Sequence, residues 1–137
     1  MTIKTLLCFD YGEKHIGVAV GQTVTGTATP LSILNTVNND PDWAAISLLV
    51  KDWRPDALIV GMPLNMDGSG QPMTKQAARF ARRLEGRYNL PVFTMDERLS
   101  TFEAKVRSGQ ETGLDSIAAQ AILETWLLEH ASTGTQD

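Results

Sequence analysis

The sequence predicts an α/β domain built on a five-stranded mixed sheet with helices on both faces. Three β-type segments joined by short connections open the chain, which predicts an antiparallel meander. After them, helical periods alternate with short apolar strands, which predicts right-handed crossovers and parallel pairing. The 137 residues, 42% hydrophobic and 20% charged, suit one globular domain. We expect that domain to span residues 1–131 and the polar segment 132–137 to be a flexible tail.

The first three strands are read from apolar runs. Residues 5–10 form a continuous apolar run, typical of a central strand covered on both faces. Residues 16–20 are apolar and β-branched and predict the second strand. The third, at 25–34, contains Pro30, which cannot donate to a ladder and therefore favours an edge position. Cys8 is the single cysteine, and we interpret it as a small buried hydrophobe in a reducing compartment.

The rest of the chain alternates between helical periods and strands. Asp40-Pro41 is interpreted as the N-cap and first-turn proline of a helix that ends at Arg54-Pro55. Apolar spacing predicts a second long helix and a last one, with a short helix before the last. These three cover about residues 73–88, 115–130 and 99–106, and the fourth and fifth strands cover 57–60 and 91–95.

The charge and hydropathy of the chain exclude two classes of protein. A net charge of −4 argues against a general DNA-coating protein, which needs many unpaired Lys and Arg side chains. It does not argue against a metal-dependent nuclease, because bound cations offset clustered carboxylates. The longest apolar runs are far too short to span a bilayer.

Three acidic residues stand at the ends of predicted elements. Asp10 ends the first strand, Glu97 follows the fifth, and Asp115 begins the last helix. Taken singly, each has a structural explanation: a turn acceptor, a solvated loop residue and a helix cap. The predicted topology, however, brings all three to one edge of the sheet. Like charges at close range repel, so such a cluster stays ionised only around a cation.

The chemistry of this cluster predicts a metal site that is also catalytic. Carboxylate oxygens alone select Mg²⁺ or Mn²⁺. Two such ions, about 3.5–4 Å apart, promote in-line phosphoryl displacement. We therefore predict that Asp10, Glu97 and Asp115 are both the metal ligands and the catalytic residues.

A basic helix face is the candidate substrate grip. The predicted helix at 73–88 carries five Lys and Arg residues opposite its apolar stripe, which suits a phosphate-binding surface or, equally, a face that confers solubility. The glycine-rich loop at 61–70 offers Asn65 and backbone amides to a nucleic-acid strand, unless its role is only to form turns. The predicted substrate-binding residues are Asn65, Lys75, Arg79, Arg82 and Arg98.

Four sequence blocks carry a family resemblance. FDYGEKHIGVAVG at 9–21, IVGMPLNMDGS at 59–69, DERLST at 96–101 and DSIAAQAILETW at 115–126 resemble, in order, the signature blocks of the YqgF family. Its members are described as pre-16S rRNA nucleases and as Holliday-junction resolvases. The resemblance implies an RNase H-like three-layer fold and a carboxylate metal site matching Asp10, Glu97 and Asp115. It also implies a cytoplasmic location and a role in maturing the 5′ end of 16S rRNA, with structured RNA and pre-ribosomal particles as partners.

The resemblance weakens between DERLST and Asp115. Only FEAKVRSGQETGL stands there, shorter than is usual in the family and without a lysine just ahead of Asp115, so no substrate contacts are carried over to it. Two other functions stay open. Resolution of branched, four-way DNA junctions needs two symmetric cuts and hence a homodimer, so both a monomer and a homodimer stay open. A non-catalytic, nucleic-acid-binding assembly factor would bind without cutting.

Overall fold

The computed structural model describes residues 3–12, 14–38, 40–64, 67–97 and 114–134, and of 114, 115 and 131–134 it describes only the backbone. The short helix expected over 99–106 lies outside these residues. The strands and helices are β1 (Thr5–Tyr11), β2 (His15–Gln22), β3 (Thr27–Val37), β4 (Asp40–Pro41), α1 (Trp43–Trp53), β5 (Ala57–Met62), α2 (Pro72–Tyr88), β6 (Val92–Asp96) and α3 (Leu114–Gly134).

The strands form one mixed sheet in the order β4-β3-β2-β1-β5-β6. The central strand β1 pairs antiparallel with β2 and parallel with β5, and β5 pairs parallel with β6. The predicted mixed sheet, antiparallel on one side and parallel on the other, is confirmed. The predicted number of five strands is wrong, because β4 adds a sixth.

The added strand corrects the interpretation of Asp40-Pro41. These two residues pair with the end of β3 and do not cap a helix. The N-cap of α1 is Asp42, whose carboxylate accepts a hydrogen bond of 3.1 Å from the backbone N–H of Ala45. Two aspartates flank Pro41, and backbone pairing with β3 decides which of them begins the helix.

Pro30 also lies in a different setting from the predicted edge strand. β3 is second from the edge, although β4 pairs only with Thr36 and Val37. Pro30 pairs with Ala19 of β2, next to a shift in the β2–β3 register. An irregular register is the other place where a sheet tolerates proline, because no ladder bond needs its missing N–H.

Side chains of β1 alternate between two cores, one on each face of the sheet. Leu7, Phe9 and Tyr11 pack on the face covered by α1 and α2. Leu6 and Cys8 pack on the opposite face, which α3 covers. The predicted helices on both faces are therefore confirmed, and no helix among the described residues has the length and apolarity needed to cross a membrane.

The direction of α3 follows from two of its contacts. A Cβ built on Gly61, near the end of β5, would lie 2.6 Å from Cδ1 of Ile122. Four residues later, the Trp126 ring lies 5.7 Å from the ring of Phe93, near the start of β6. The helix thus runs away from the edge where β1, β5 and β6 end, which we call the carboxyl edge. Its first turn therefore lies toward the carboxyl edge.

Candidate active site

Asp10 and Glu97 meet at the carboxyl edge. Asp10 is the penultimate residue of β1, and Glu97 directly follows β6. β5 lies between these strands, with Val60 beside Phe9 and Gly61 beside Met95. The Glu97 side chain lies over Gly61, since a Cβ there would be 3.1 Å from its Cγ and from its Oε2. The space above a glycine thus lets this carboxyl group approach β1 across an intervening strand.

The carboxyl groups of Asp10 and Glu97 lie close enough to interact. Burial raises the pKa of Glu97, its interaction with the Asp10 side chain lowers it, and the nearby charge of Asp96 raises it again. Burial and like charge both penalise the ionised form here, so the pair favours a proton or a cation between its oxygens.

The pKa of Cys8 is also affected by the negative charge of Asp10 and Glu97. Cys8 points to the same face of β1 as Asp10, two residues earlier, and is fully buried, as predicted. Burial raises the pKa of its thiol, and the charges of Asp10 and Glu97 raise it further. The thiol is therefore held neutral and acts as a core residue.

The third predicted ligand, Asp115, lies in the first turn of α3. Its side chain is outside what the structure describes. Over the described side chains, no group of three or more His, Cys, Asp or Glu residues forms a candidate metal site. The structure thus brings Asp10 and Glu97 together and places the first turn of α3 toward the same edge.

The donor set at this edge fits a hard divalent cation. Both side chains present oxygen only, the ligand type that Mg²⁺ and Mn²⁺ prefer. A cation held by Asp10 and Glu97 would offset the cost of burying the charge of Glu97. Among the described residues, the Cys8 thiol does not compete for such a cation, because it is buried and its pKa is raised.

The predicted substrate-binding residues that the structure describes lie on α2. Lys75, Arg79 and Arg82 are exposed there. Because α2 covers the face opposite α3, these cations and the carboxyl pair lie on different faces of the sheet. The start of α2 is nevertheless tied to the chain leaving β5, since the Thr74 hydroxyl donates to the backbone oxygen of Pro63. Asn65 and Arg98 are outside the described residues.

A cleft beside Tyr11 was not foreseen from the sequence. It has a volume of about 120 Å³. Alternation along the strand is the signal that could have predicted it. Tyr11 follows Asp10, so its ring lies at the same edge of the sheet but on the other face. The residues lining the cleft are Tyr11, Pro41, Gln76, Arg79, Phe80 and Arg83.

Comparison with known proteins connects the chain to one family. Residues 4–129 match the family model described as "RuvX: Holliday junction resolvase". A Pseudomonas paraeruginosa protein named "Putative pre-16S rRNA nuclease" is 52% identical over 136 residues, covering 93% of this chain and 94% of its own. An Azotobacter vinelandii protein of the same name is 54% identical over 134 residues, covering 92% and 94%. The family resemblance read from the four sequence blocks is confirmed.

Solved structures show the same fold at low sequence identity. Thermus thermophilus RuvC, in complex with a Holliday junction substrate, has a TM-score of 0.61 and 17% identity, covering 96% of this chain and 97% of its own. The fowlpox virus Holliday junction resolvase has a TM-score of 0.54 and 14% identity, covering 94% and 99%. The predicted RNase H-like fold class is thereby confirmed.

Proposed function

Since the chain belongs to the RuvX family, we propose that it is a metal-dependent nuclease that processes the 5′ end of a 16S rRNA precursor in the cytoplasm. The observation that carries this proposal is the Asp10–Glu97 carboxyl pair at the carboxyl edge. The names of relatives 52–54% identical over nearly their full length support the choice of substrate.

Asp10, Glu97 and Asp115 are the proposed ligands of one or two Mg²⁺ or Mn²⁺ ions. Such ions supply positive charge that offsets the charge developing on the phosphoryl group and on the departing oxygen. Asp10 is held by the regular pairing of β1 with Gly17 of β2, so its position is set by the rigid centre of the sheet. Glu97 follows an edge strand and depends on the space over Gly61 for its position. In this proposal Asp115 completes the set from the first turn of α3.

The proposed substrate-binding residues come from α2 and from two segments that follow strands. Lys75, Arg79 and Arg82 of α2 attract the phosphate backbone, and these contacts carry no sequence information. Asn65 and Arg98 belong to the same proposal, because each stands in a segment that follows a strand ending at this edge. The substrate would then be recognised mainly by its shape and charge, as is typical of structured RNA.

The family model's description favours a second candidate, resolution of four-way DNA junctions. That reaction requires two active sites related by symmetry, so it requires a homodimer. The experiment therefore includes a junction and a measurement of mass in solution.

The test incubates the protein with a 16S rRNA precursor that carries its 5′ leader, with a four-way DNA junction and with unstructured single-stranded RNA. Each substrate is tested with Mn²⁺, with Mg²⁺ and with EDTA. We expect metal-dependent cleavage of the precursor that Asp10→Asn abolishes, whereas the control Asp52→Asn, at an exposed position on α1, keeps full activity.

The other outcomes decide between the alternatives. Symmetric cleavage of the junction by a dimer, with the precursor left intact, identifies a resolvase. Binding of the precursor without cleavage under every metal condition identifies a non-catalytic assembly factor and overturns the proposal.

A further inference from the structure

The cleft beside Tyr11 is built from donors that suit an anion. Arg79 and Arg83 line it, together with the phenol ring of Tyr11. Burial raises the pKa of the Tyr11 hydroxyl most strongly, the charges of Arg83 and Arg79 lower it, and that of Asp40 raises it. Two cations therefore lie beside the Tyr11 ring on one concave surface.

Trp43 holds one of the two cleft cations, Arg83, together with Arg87, which is not among the residues that line the cleft. The Cζ atom of Arg83 lies 4.8 Å from the centre of the indole ring, and that of Arg87 lies 4.0 Å from it. The ring itself packs against Phe80, with 5.7 Å between the ring centroids. The cation–π contact fixes the guanidinium group of Arg83 and reduces the entropy that this side chain loses when it binds a ligand.

Asp40 competes for one of these cations. Its Oδ1 lies 3.2 Å from a terminal nitrogen of Arg83, and the two side chains are 63% and 32% exposed. Exposed pairs of this kind contribute little to stability. A guanidinium group has five donors, and this contact engages one nitrogen, which leaves others for a second anion.

Gln76 contributes an amide side chain to the wall of the cleft. It lines the cleft, and its Oε1 position is buried without a hydrogen-bond partner among the described residues. A buried amide atom with no partner is costly, and native proteins rarely leave one unsatisfied. Rotation of the Gln76 amide would free this buried position and could turn the NH₂ group toward an anion in the cleft.

We propose that this cleft, formed by Tyr11, Gln76, Arg79 and Arg83, binds a phosphate group of the nucleic-acid strand whose scissile bond lies at the carboxyl edge. The volume of about 120 Å³ is well above the roughly 10–15 Å³ that a single water needs, and it admits a phosphate group. Arg is the side chain best suited to phosphate oxygens, because its fork of donors matches them bidentately.

The position of the cleft explains how one strand reaches both faces of the sheet. Asp10 and Tyr11 are consecutive residues at the end of β1 and point to opposite faces. A strand that passes over the carboxyl edge therefore meets the carboxyl pair on one side and the cleft on the other. The inference rests on the proposed function only for the identity of the ligand as nucleic acid.

The test measures binding apart from cleavage. Asp10→Asn protein in EDTA is titrated with a fluorescent RNA strand over a series of salt concentrations. In this background we expect Arg79→Ala and Arg83→Ala each to weaken binding about tenfold and to lower the salt slope by about 1. The matched control is Lys51→Ala, which removes an exposed cation from α1 and should change affinity by less than twofold.

Asp40→Asn should increase the affinity for RNA, and a partly unfolded variant could not show such an increase. The substitution releases Arg83 and removes a negative charge next to the cleft, so we expect RNA to bind about threefold more tightly. Asp52→Asn makes the same change of charge on α1 and should leave affinity unchanged. If Asp40→Asn gives no tightening beyond Asp52→Asn, or if Lys51→Ala weakens binding as much as the two arginine variants, the cleft is not the site.

Inorganic phosphate separates a strand phosphate from a free anion. Because one cleft cannot hold both anions, we expect inorganic phosphate at constant ionic strength to weaken RNA binding, and to do so less in the Arg83→Ala protein. Phosphate that binds without weakening RNA binding would show that the cleft serves a free anion, and would overturn the inference. Since cleavage is absent from this experiment, its result is independent of whether the precursor is ever cut.

Discussion

Gly61 lies beneath the carboxyl group of Glu97, because a Cβ built on this glycine would be 3.1 Å from the Oε2 atom and 2.6 Å from Cδ1 of Ile122. β5 separates the two strands whose ends carry Asp10 and Glu97. A side chain at position 61 on this face would fill the space through which Glu97 approaches β1. The close packing of the two carboxyl groups therefore depends on a hydrogen atom where other residues have a Cβ.

Gly61→Ala is the first test of this arrangement. The added methyl displaces the flexible ends of Ile122 and Glu97. A shift of a few tenths of an ångström at a catalytic group lowers the rate of cleavage considerably. We expect cleavage of precursor RNA to fall at least tenfold, while the melting temperature changes by only a few degrees. Steady-state kinetics and thermal denaturation measure the two effects.

Gly86→Ala is the matched control for that variant. Gly86 lies inside α2, is exposed, and has nothing within 4 Å of its built Cβ. Alanine is the better helix former, so the free energy of unfolding should increase by about 0.5–1 kcal/mol. The activity should stay unchanged. Equal loss of activity in the two variants would contradict the role that we assign to the space over Gly61.

Metal binding should appear as a change in stability. Because a cation offsets the burial of Glu97 beside Asp10, Mn²⁺ at 100 times its Kd should stabilise the wild-type protein by about 2.7 kcal/mol. Asp10→Asn removes a ligand and a like charge together. We expect this variant to melt no lower than wild type in EDTA and to lose the increase on adding Mn²⁺. An unchanged increase would exclude Asp10 from the site.

The sequence predicted the strands and helices that are determined by a pattern within one segment. The apolar run of β1 and the helical period of α2 are visible in single segments, and both elements lie where we expected them. Asp40-Pro41 was misread because its pairing with β3 depends on backbone hydrogen bonds between segments. No local pattern distinguishes Asp40 from Asp42 as the cap, since both stand beside Pro41.

The candidate site was predictable to the extent that topology determines it. Asp10 and Glu97 end strands that run in parallel to the same edge, and this alone predicts that they approach each other. The role of Gly61 was not predictable, because it depends on which neighbouring side chain lies over it. The cleft required knowing that α2 covers the face to which Tyr11 points, and not the face of Asp10.

Asp56 makes stability depend on pH in acid. Its carboxylate accepts hydrogen bonds from the backbone N–H groups of Lys4, at 2.8 Å, and Thr5, at 3.1 Å. These bonds lower the pKa of Asp56 below the ordinary 3.8. A lowered pKa stabilises the fold above the unfolded pKa, and this stabilisation is lost as pH falls through the folded pKa.

Asp56→Ala should therefore destabilise the protein at pH 7 by about 1 kcal/mol, a modest value because the residue is only partly buried. The difference from wild type should shrink below pH 4, as measured by urea unfolding at both pH values. Asp56→Asn keeps an acceptor oxygen and should retain most of the stability at pH 7 while losing this pH dependence. A difference that stays constant between pH 7 and pH 3 would contradict the assignment.

Phe80 joins the core to the cleft, and its replacement tests both. It is 2% exposed, and its ring lies 5.6 Å from that of Phe9 and 5.0 Å from that of Tyr11. Phe80→Leu should cost about 1–2 kcal/mol, because the smaller side chain loses the aromatic contacts and leaves a void. Phe93→Leu, at a position 37% exposed on β6, should cost about 0.5 kcal/mol. Because Phe80 also lines the cleft, only its variant should weaken RNA binding, and equal effects of the two substitutions on stability and affinity would contradict this account.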